Sequence, residues 1–184
     1  MYNPYRRYHH LPYYDEHYDA DDFCQYNEYA NHPYANENAG GRNTRYADSK
    51  DYGPMPFVIN IDEAAKLNNT YRTALWTGEH LQLTLMSINI GEDIGLEMHP
   101  HLDQFIRIEQ GQGLVEMGDK KDRLDFRRKV YDDFVFIIPA GKWHNLTNTG
   151  NAPIKLYSIY APPQHTHGTV HQTKEEAETA ERHY

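Results

Sequence analysis

Cysteine is almost missing from this chain: Cys24 stands alone in 184 residues. No internal disulfide can form, and no Cys-x-x-Cys pair is present for zinc or redox chemistry. Long apolar runs are missing too, since nothing approaches the roughly 18–20 residues that cross a bilayer. The opening Met1-Tyr2-Asn3-Pro4-Tyr5-Arg6 lacks the apolar core of a secretory signal. Basic residues are scarce. Lys and Arg number 18 against 27 Asp and Glu, for a net charge of −9, whereas nucleic-acid binding needs a basic stripe to neutralise phosphates. The expectation is a soluble, cytoplasmic protein with neither nucleic acid nor membrane as its main partner.

Tyrosine and histidine are plentiful, with 16 and 12 copies. Eleven of the tyrosines fall in residues 1–53, a stretch without Val, Ile or Trp and with Leu11 as its only large aliphatic besides Met1. No 3.6- or 2-residue apolar period is present there, so the segment cannot bury enough surface to offset its ordering entropy. Residues 1–53 read as a disordered tail, 54–163 as one folded domain, and 164–184 as a His-containing end with a short helix. A length of 184 residues suits one domain with an appendage, at about 100–200 residues per domain.

From Pro54 the pattern changes. Pro56–Ile61 predicts a strand, and Asp62–Leu67 a short helix begun by the acid. Strand-like runs then recur at His80–Ile90, Ile94–His101, Gln104–Glu109, Gly113–Met117, Phe134–Ile138, Trp143–Asn148 and Ile154–Tyr160, with turn residues between them. Many short strands joined by tight turns predict an all-β antiparallel sandwich or barrel. Within His80–Ile90 the apolar phase flips from Leu81, Leu83 and Leu85 to Met86, Ile88 and Ile90, which predicts a β-bulge or a change of sheet near Met86. After Pro162-Pro163, the run Thr173-Lys174-Glu175-Glu176 fits a helix capping box, with Lys174 and Glu178 spaced i,i+4.

Two segments carry chemistry. In Glu97-Met98-His99-Pro100-His101, strand alternation puts Glu97, His99 and His101 on one face. Some way downstream, Pro139-Ala140-Gly141-Lys142-Trp143-His144 supplies a third imidazole after a tight turn. Three neutral imidazoles and one oxygen ligand suit a divalent first-row metal such as Mn, Fe, Zn, Ni or Co. Glu97 is open to two readings: fifth ligand or general base, or ion-pair partner of Arg107 or Lys155. Asp103 reads as a turn cap. His165, His167 and His171 offer a second metal site or a solvated stretch.

These segments resemble the two motifs of the cupin superfamily, a jelly-roll β-barrel. Pro139, Gly141, His144 and Asn148 match the second motif, Pro-x-Gly-x-x-His-x-x-x-Asn, in full. His99, His101 and Gly111 match the first, with Gln104 in the place of the usual acidic ligand. The loop between His101 and Gln104 is shorter than usual, and Asp133 stands where the second motif commonly opens with Gly. Residues 54–172 are similar to small bacterial single-domain cupins labelled mannose-6-phosphate isomerase-like, through Arg72–Gly78, Asp103-Gln104-Phe105, Gly111–Val115 and Tyr157–Pro163. The resemblance implies a metal held by His99, His101, Gln104 and His144 in a neutral shell. It also implies a small-molecule substrate and barrels that pair as a homodimer.

Fold does not fix function, and several functions stay open. One is a metal-dependent, isomerase-like enzyme acting on a sugar-like or carbonyl substrate, with Glu97 moving a proton. A dioxygenase and a non-catalytic small-molecule binder are variants. Another is a structural protein of spore-coat type, located in that coat, whose tyrosine-rich tail serves assembly.

Overall fold

The computed structural model describes residues 50–181. The expected tail therefore falls outside the described residues as far as position 49. Helix α1 (Ile61–Leu67) is followed by β1 (Arg72–Thr77), β2 (Gln82–Ile88), β3 (Glu97–Met98), β4 (Asp103–Gln110) and β5 (Gly113–Gly118). Next come β6 (Phe126–Val130), β7 (Val135–Ile138), β8 (Trp143–Asn148), β9 (Ile154–Ala161), β10 (Val170–His171) and α2 (Lys174–Glu181). A six-stranded sheet ordered β10-β1-β2-β9-β4-β7 faces a four-stranded sheet ordered β3-β8-β5-β6, in the anticipated jelly-roll barrel. All named pairings are antiparallel. Among the described residues, no helix is long and apolar enough to cross a membrane.

Alternation builds the barrel wall. Buried and less buried residues alternate along β5, β7 and β8, as expected when one face of a sheet meets a core. Ile106, Ile108, Val115, Leu146, Ile154 and Leu156 meet in the interior. Register then assigns the polar positions. Gln104 pairs with Tyr160, and Tyr160 with Gln82. Two levels away on the same face, Ile108, Leu156, Met86, Arg72 and His171 form a row across five strands.

Three local expectations are corrected. Pro56–Ile61 is not a strand; it lays Phe57, Ile59 and Ile61 on a second apolar cluster with Ala64, Ala65, Leu75 and Leu85. Asn60, not Asp62, caps α1, its Oδ1 accepting from the Glu63 N–H at 3.3 Å. The bulge lies in β1, between Ala74 and Trp76, whereas β2 pairs with β9 without interruption from Gln82 to Ile88. The apolar phase of β2 flips because both of its faces are covered: Leu83 and Leu85 by the second cluster, Met86 and Ile88 by the interior. At the other end, the expected capping Thr173 accepts from the Glu176 N–H at 3.3 Å. Ala177 of α2 is buried in the core, which fixes the helix to the barrel.

Packing begins ahead of the compositional change at Pro54. The Asp51 side chain is fully buried. Its Oδ1 accepts from the N–H groups of Gly53 at 3.0 Å and Thr77 at 2.9 Å. Its Oδ2 accepts from the Thr77 hydroxyl at 2.5 Å and the Gly168 N–H at 3.0 Å. One carboxylate thus joins the entering chain, the end of β1 and the loop before β10. Removing it strands buried donors, at a cost of about 2–4 kcal/mol. A chain starting at Lys50 should match the full chain in urea denaturation, while one starting at Pro54 and the Asp51→Ala variant should both lose roughly that amount. Equal midpoints for the two truncations would show that the Asp51 junction contributes nothing.

Candidate metal centre

Glu97 and His144 are directly opposed across the β3–β8 pairing, so their side chains share the inner face. His99 follows Glu97 on the same face by strand alternation. Its Nε2 lies 3.5 Å from Glu97 Oε1, and His144 Nε2 lies 3.3 Å from the same oxygen. The two imidazole rings are 5.4 Å apart. These three side chains form the group that could hold a metal ion among the described residues, their ligand atoms all within 4.8 Å of one another.

The turn into β8 is built to deliver His144. Gly141 takes a φ of 80°, a left-handed conformation that glycine adopts without steric cost. Its N–H donates to the His99 carbonyl at 2.7 Å, and the Ala140 N–H donates to Asp103 Oδ1 at 2.9 Å. Asp103 therefore caps a turn as expected, although the turn belongs to the other motif. His144 Nδ1 lies 3.0 Å from the Lys142 carbonyl. A carbonyl only accepts, so Nδ1 carries a proton, and Nε2 is the nitrogen that would coordinate an ion.

Gln104, on the inner face of β4, donates from Nε2 to Ser158 Oγ at 3.0 Å. That bond leaves its Oε1 turned elsewhere, and this oxygen is buried without a hydrogen-bond partner, as are the Nε2 atoms of His99 and His144. Three buried atoms of metal-ligand type, all lacking a hydrogen bond, are costly unless something with positive charge completes them. The donor set fits a divalent first-row ion.

His101 is placed elsewhere. The strand that was to carry it ends at Met98, the chain bends at Pro100, and His101 is exposed outside the cluster. The ligand-type pair is Glu97-x-His99, two residues earlier than the His-x-His reading. This placement also accounts for the short loop from His101 to Gln104, because counting from His99 lengthens it. The shell gains a negative charge, so the expectation of a neutral shell does not hold for these residues. Burial alone would raise the Glu97 pKa, but the contacts to His144 and His99 and the nearby Arg72 charge outweigh it. The carboxyl is held well below its usual range. Neither expected ion-pair partner reaches it: Arg107 binds Asp133 and Glu109, and Lys155 donates to the Asn68 carbonyl and Asn69 Oδ1.

The remaining motif positions have backbone roles. Asn148 donates to the carbonyls of Ile88 and Ala152 at 2.9 Å each. Gly111 has φ 100°, and a Cβ there would sit 3.0 Å from Ile154 Cα. Asp133, standing where the motif commonly has Gly, adopts a φ of 68°, which Asp tolerates better than most residues.

Beside Glu97 and His99 opens a cavity of about 570 Å³, lined also by His165, Thr166, Thr169 and His171. The C-terminal histidines thus border the same cavity instead of building an independent three-residue cluster among the described residues. His167 is used structurally, its Nε2 lying 3.1 Å from the Gly53 carbonyl and 3.5 Å from Asp51. Strand alternation puts Tyr157 and Tyr160 on opposite faces of β9, so at most one can face the site; it is Tyr160, buried with its ring 5.7 Å from His99.

A profile of the cupin domain family matches residues 84–160. The chain is 67% identical over 132 residues to an uncharacterized Bacillus subtilis (strain 168) protein, YrkC, covering 72% of this chain and 71% of that protein. It is 39% identical over 115 residues to uncharacterized protein L612 of Acanthamoeba polyphaga mimivirus, covering 62% and 70% respectively. Among solved structures, BH2720 from Bacillus halodurans superposes with a TM-score of 0.70 at 64% identity, over 71% of this chain and 98% of that one.

Two measurements test the site. In protein purified without chelator, His144→Ala and Glu97→Ala should lose bound transition metal by plasma mass spectrometry, while His101→Ala should keep it. Loss in His101→Ala alone would restore the His-x-His pair. The second test concerns His165, whose burial, reinforced by Arg72, pushes the imidazole pKa down to about 3. Between pH 6.5 and about 3 the unfolded chain binds a proton that the folded chain does not. Stability should fall with pH across that window, by on the order of 1 kcal/mol per unit. His165→Phe should flatten the dependence in urea melts at pH 7 and 5; an unchanged slope would refute it.

Proposed function

The chain belongs to the cupin superfamily, and on that footing we propose that it is a metal-dependent enzyme acting on a small sugar-like or carbonyl substrate inside the barrel. One observation carries the reading. His99 Nε2, His144 Nε2 and Gln104 Oε1 are buried without hydrogen bonds, and two of them face a carboxylate at the edge of a cavity of about 570 Å³. Such a set next to an open space of substrate size is the arrangement that a small-molecule site requires.

Glu97, His99, Gln104 and His144 would hold the ion. When bound, it supplies Lewis-acid polarisation of a substrate oxygen. The protein does the rest. Lys142 fixes the His144 tautomer through its carbonyl, and Ser158 fixes the Gln104 amide. Glu97, lying against both imidazoles, would serve as a charged ligand and would then not be free to act as a base. Proton movement on the substrate then falls to another group on the cavity wall.

Gln104→Glu tests the charge balance of this shell. A second carboxylate should tighten metal binding roughly tenfold, because it adds attraction for a dipositive ion, and should lower turnover, because the ion's pull on substrate oxygen weakens. Metal affinity and activity on a panel of sugar phosphates, uronates and small oxo acids, with oxygen uptake followed in parallel, give the readout. Isomerisation without oxygen uptake would favour the isomerase-like chemistry, and uptake the dioxygenase. No turnover by any metal form of the wild type would remove the enzyme reading and leave binding or assembly.

A further inference from the structure

Residues 164–169, the loop between Pro163 and β10, line the cavity beside Glu97 and His99. A loop that leaves two prolines and ends in a two-residue edge strand has little of its own to hold it. Its position comes from three polar side chains of other segments, Asp51, Thr77 and Gln82. The Gln82 amide is fully buried. Its Nε2 donates to the His165 carbonyl at 2.9 Å, and its Oε1 accepts from the His165 N–H at 2.9 Å. The same Nε2 donates to Thr77 Oγ1 at 2.9 Å. The Thr77 hydroxyl gives its one proton to Asp51 Oδ2 at 2.5 Å, and that oxygen also accepts from the Gly168 N–H at 3.0 Å. His167 Nε2 reaches the Gly53 carbonyl at 3.1 Å and lies 3.5 Å from Asp51 Oδ1. One end of a hydrogen-bond chain thus holds the loop at His165, and the other end holds it at Gly168.

The chain has a direction, and Asp51 sets it. A carboxylate only accepts, so the Thr77 hydroxyl turns its proton to Asp51 and offers its lone pairs to Gln82. That turns the Gln82 Nε2 toward Thr77, the one orientation that also suits His165. Reversed, two acceptors would meet at the His165 carbonyl and two donors at its N–H. Asp51→Asn keeps the shape of the side chain and breaks this sense. An Nδ2 in the place of Oδ1 meets the N–H groups of Gly53 and Thr77. An Nδ2 in the place of Oδ2 meets the Gly168 N–H and drives the Thr77 proton round toward the Gln82 amide. Either way, donors are left facing donors in the interior.

We infer that Asp51 is a positioning residue of the cavity: through Thr77 and Gln82 it holds residues 164–169 beside Glu97 and His99, and so controls access to the metal group. The hold on the loop stands on the hydrogen bonds alone. The control of access rests on the metal reading. A residue at the entry to the folded domain thereby acts on a site whose ligand-type residues all lie on other segments.

The experiment uses the full chain, with and without cobalt(II). Hydrogen exchange by mass spectrometry over residues 164–169 reads the loop. Transfer of cobalt to EDTA, followed by visible absorption, reads access to the metal group. Asp51→Asn and Thr77→Val should each speed both by roughly tenfold, the loss of one buried hydrogen bond. Thr77→Ser keeps the hydroxyl and should stay within a factor of about two of wild type. Val130→Ala removes core volume on β6, away from the cavity lining, and should lower the melting temperature without either effect. Faster exchange over 164–169 in Val130→Ala, at an equal loss of melting temperature, overturns the inference, because the loop would then follow global stability. Unchanged exchange in Asp51→Asn and Thr77→Val overturns it as well. A loosened loop with unchanged cobalt transfer overturns the control of access and leaves the metal reading intact. Failure of the wild type to take up cobalt removes the metal reading, while exchange in the metal-free protein still decides whether Asp51 holds the loop.

Discussion

Two residues of strand decide the site. The pairing of Glu97–Met98 with Trp143–His144 is all that sets the carboxylate opposite the imidazole, and a two-residue ladder is too short to hold itself. The neighbouring turn supplies the missing constraint. Gly141 N–H to the His99 carbonyl and Ala140 N–H to Asp103 tie the bend after β3 to the turn before β8. Both motifs are thereby fixed to each other through backbone groups, independently of whatever the side chains bind. Such a frame keeps three costly, unsatisfied atoms in place where a looser one would let them rotate to solvent.

The same logic governs the buried charges. A carboxylate such as Glu97 stays ionised in the interior only if partners outweigh its desolvation. Here His144, His99 and Arg72 do so. Asp51 is stabilised by another route, through N–H and hydroxyl donors from three separate segments. One buried acid therefore organises the fold and the other is left with ligand geometry. The difference lies in the partners: N–H and hydroxyl donors saturate Asp51, while Glu97 faces two imidazoles, groups that would coordinate a cation.

Much of this was legible in the sequence where local rules act alone. Period-2 patterns located β5, β7 and β8, and the Pro139–Asn148 motif located the turn and His144. The glycine at Gly111 follows from a close approach to Ile154 that admits no Cβ. Other elements gave no such signal. β1 carries a buried arginine and has both faces covered, so no alternation marks it. β6 is an exposed edge with the run Arg127-Arg128-Lys129, held partly by Arg127 against Glu116 at 3.0 Å. The ligand pair was misplaced by two residues because period-2 reasoning assumes that the strand continues. β3 stops at Met98, and Pro100 turns the chain before His101 can share the face.

The C-terminal histidines show why placement outranks composition. By spacing alone, His165, His167 and His171 look alike, yet the fold gives each a different task. His167 leans on Asp51 and Gly53 at the surface, His171 sits in register with Arg72, and His165 is clamped by Gln82 beside the cavity. The clamp needs Gln82 on the inner face of β2, and the register places it there, in the row with Tyr160 and Gln104. Gln104 and the amide that clamps His165 thus come from one layer of the barrel. Strand register, more than the spacing of the histidines, decides which of them is clamped beside Glu97 and His99.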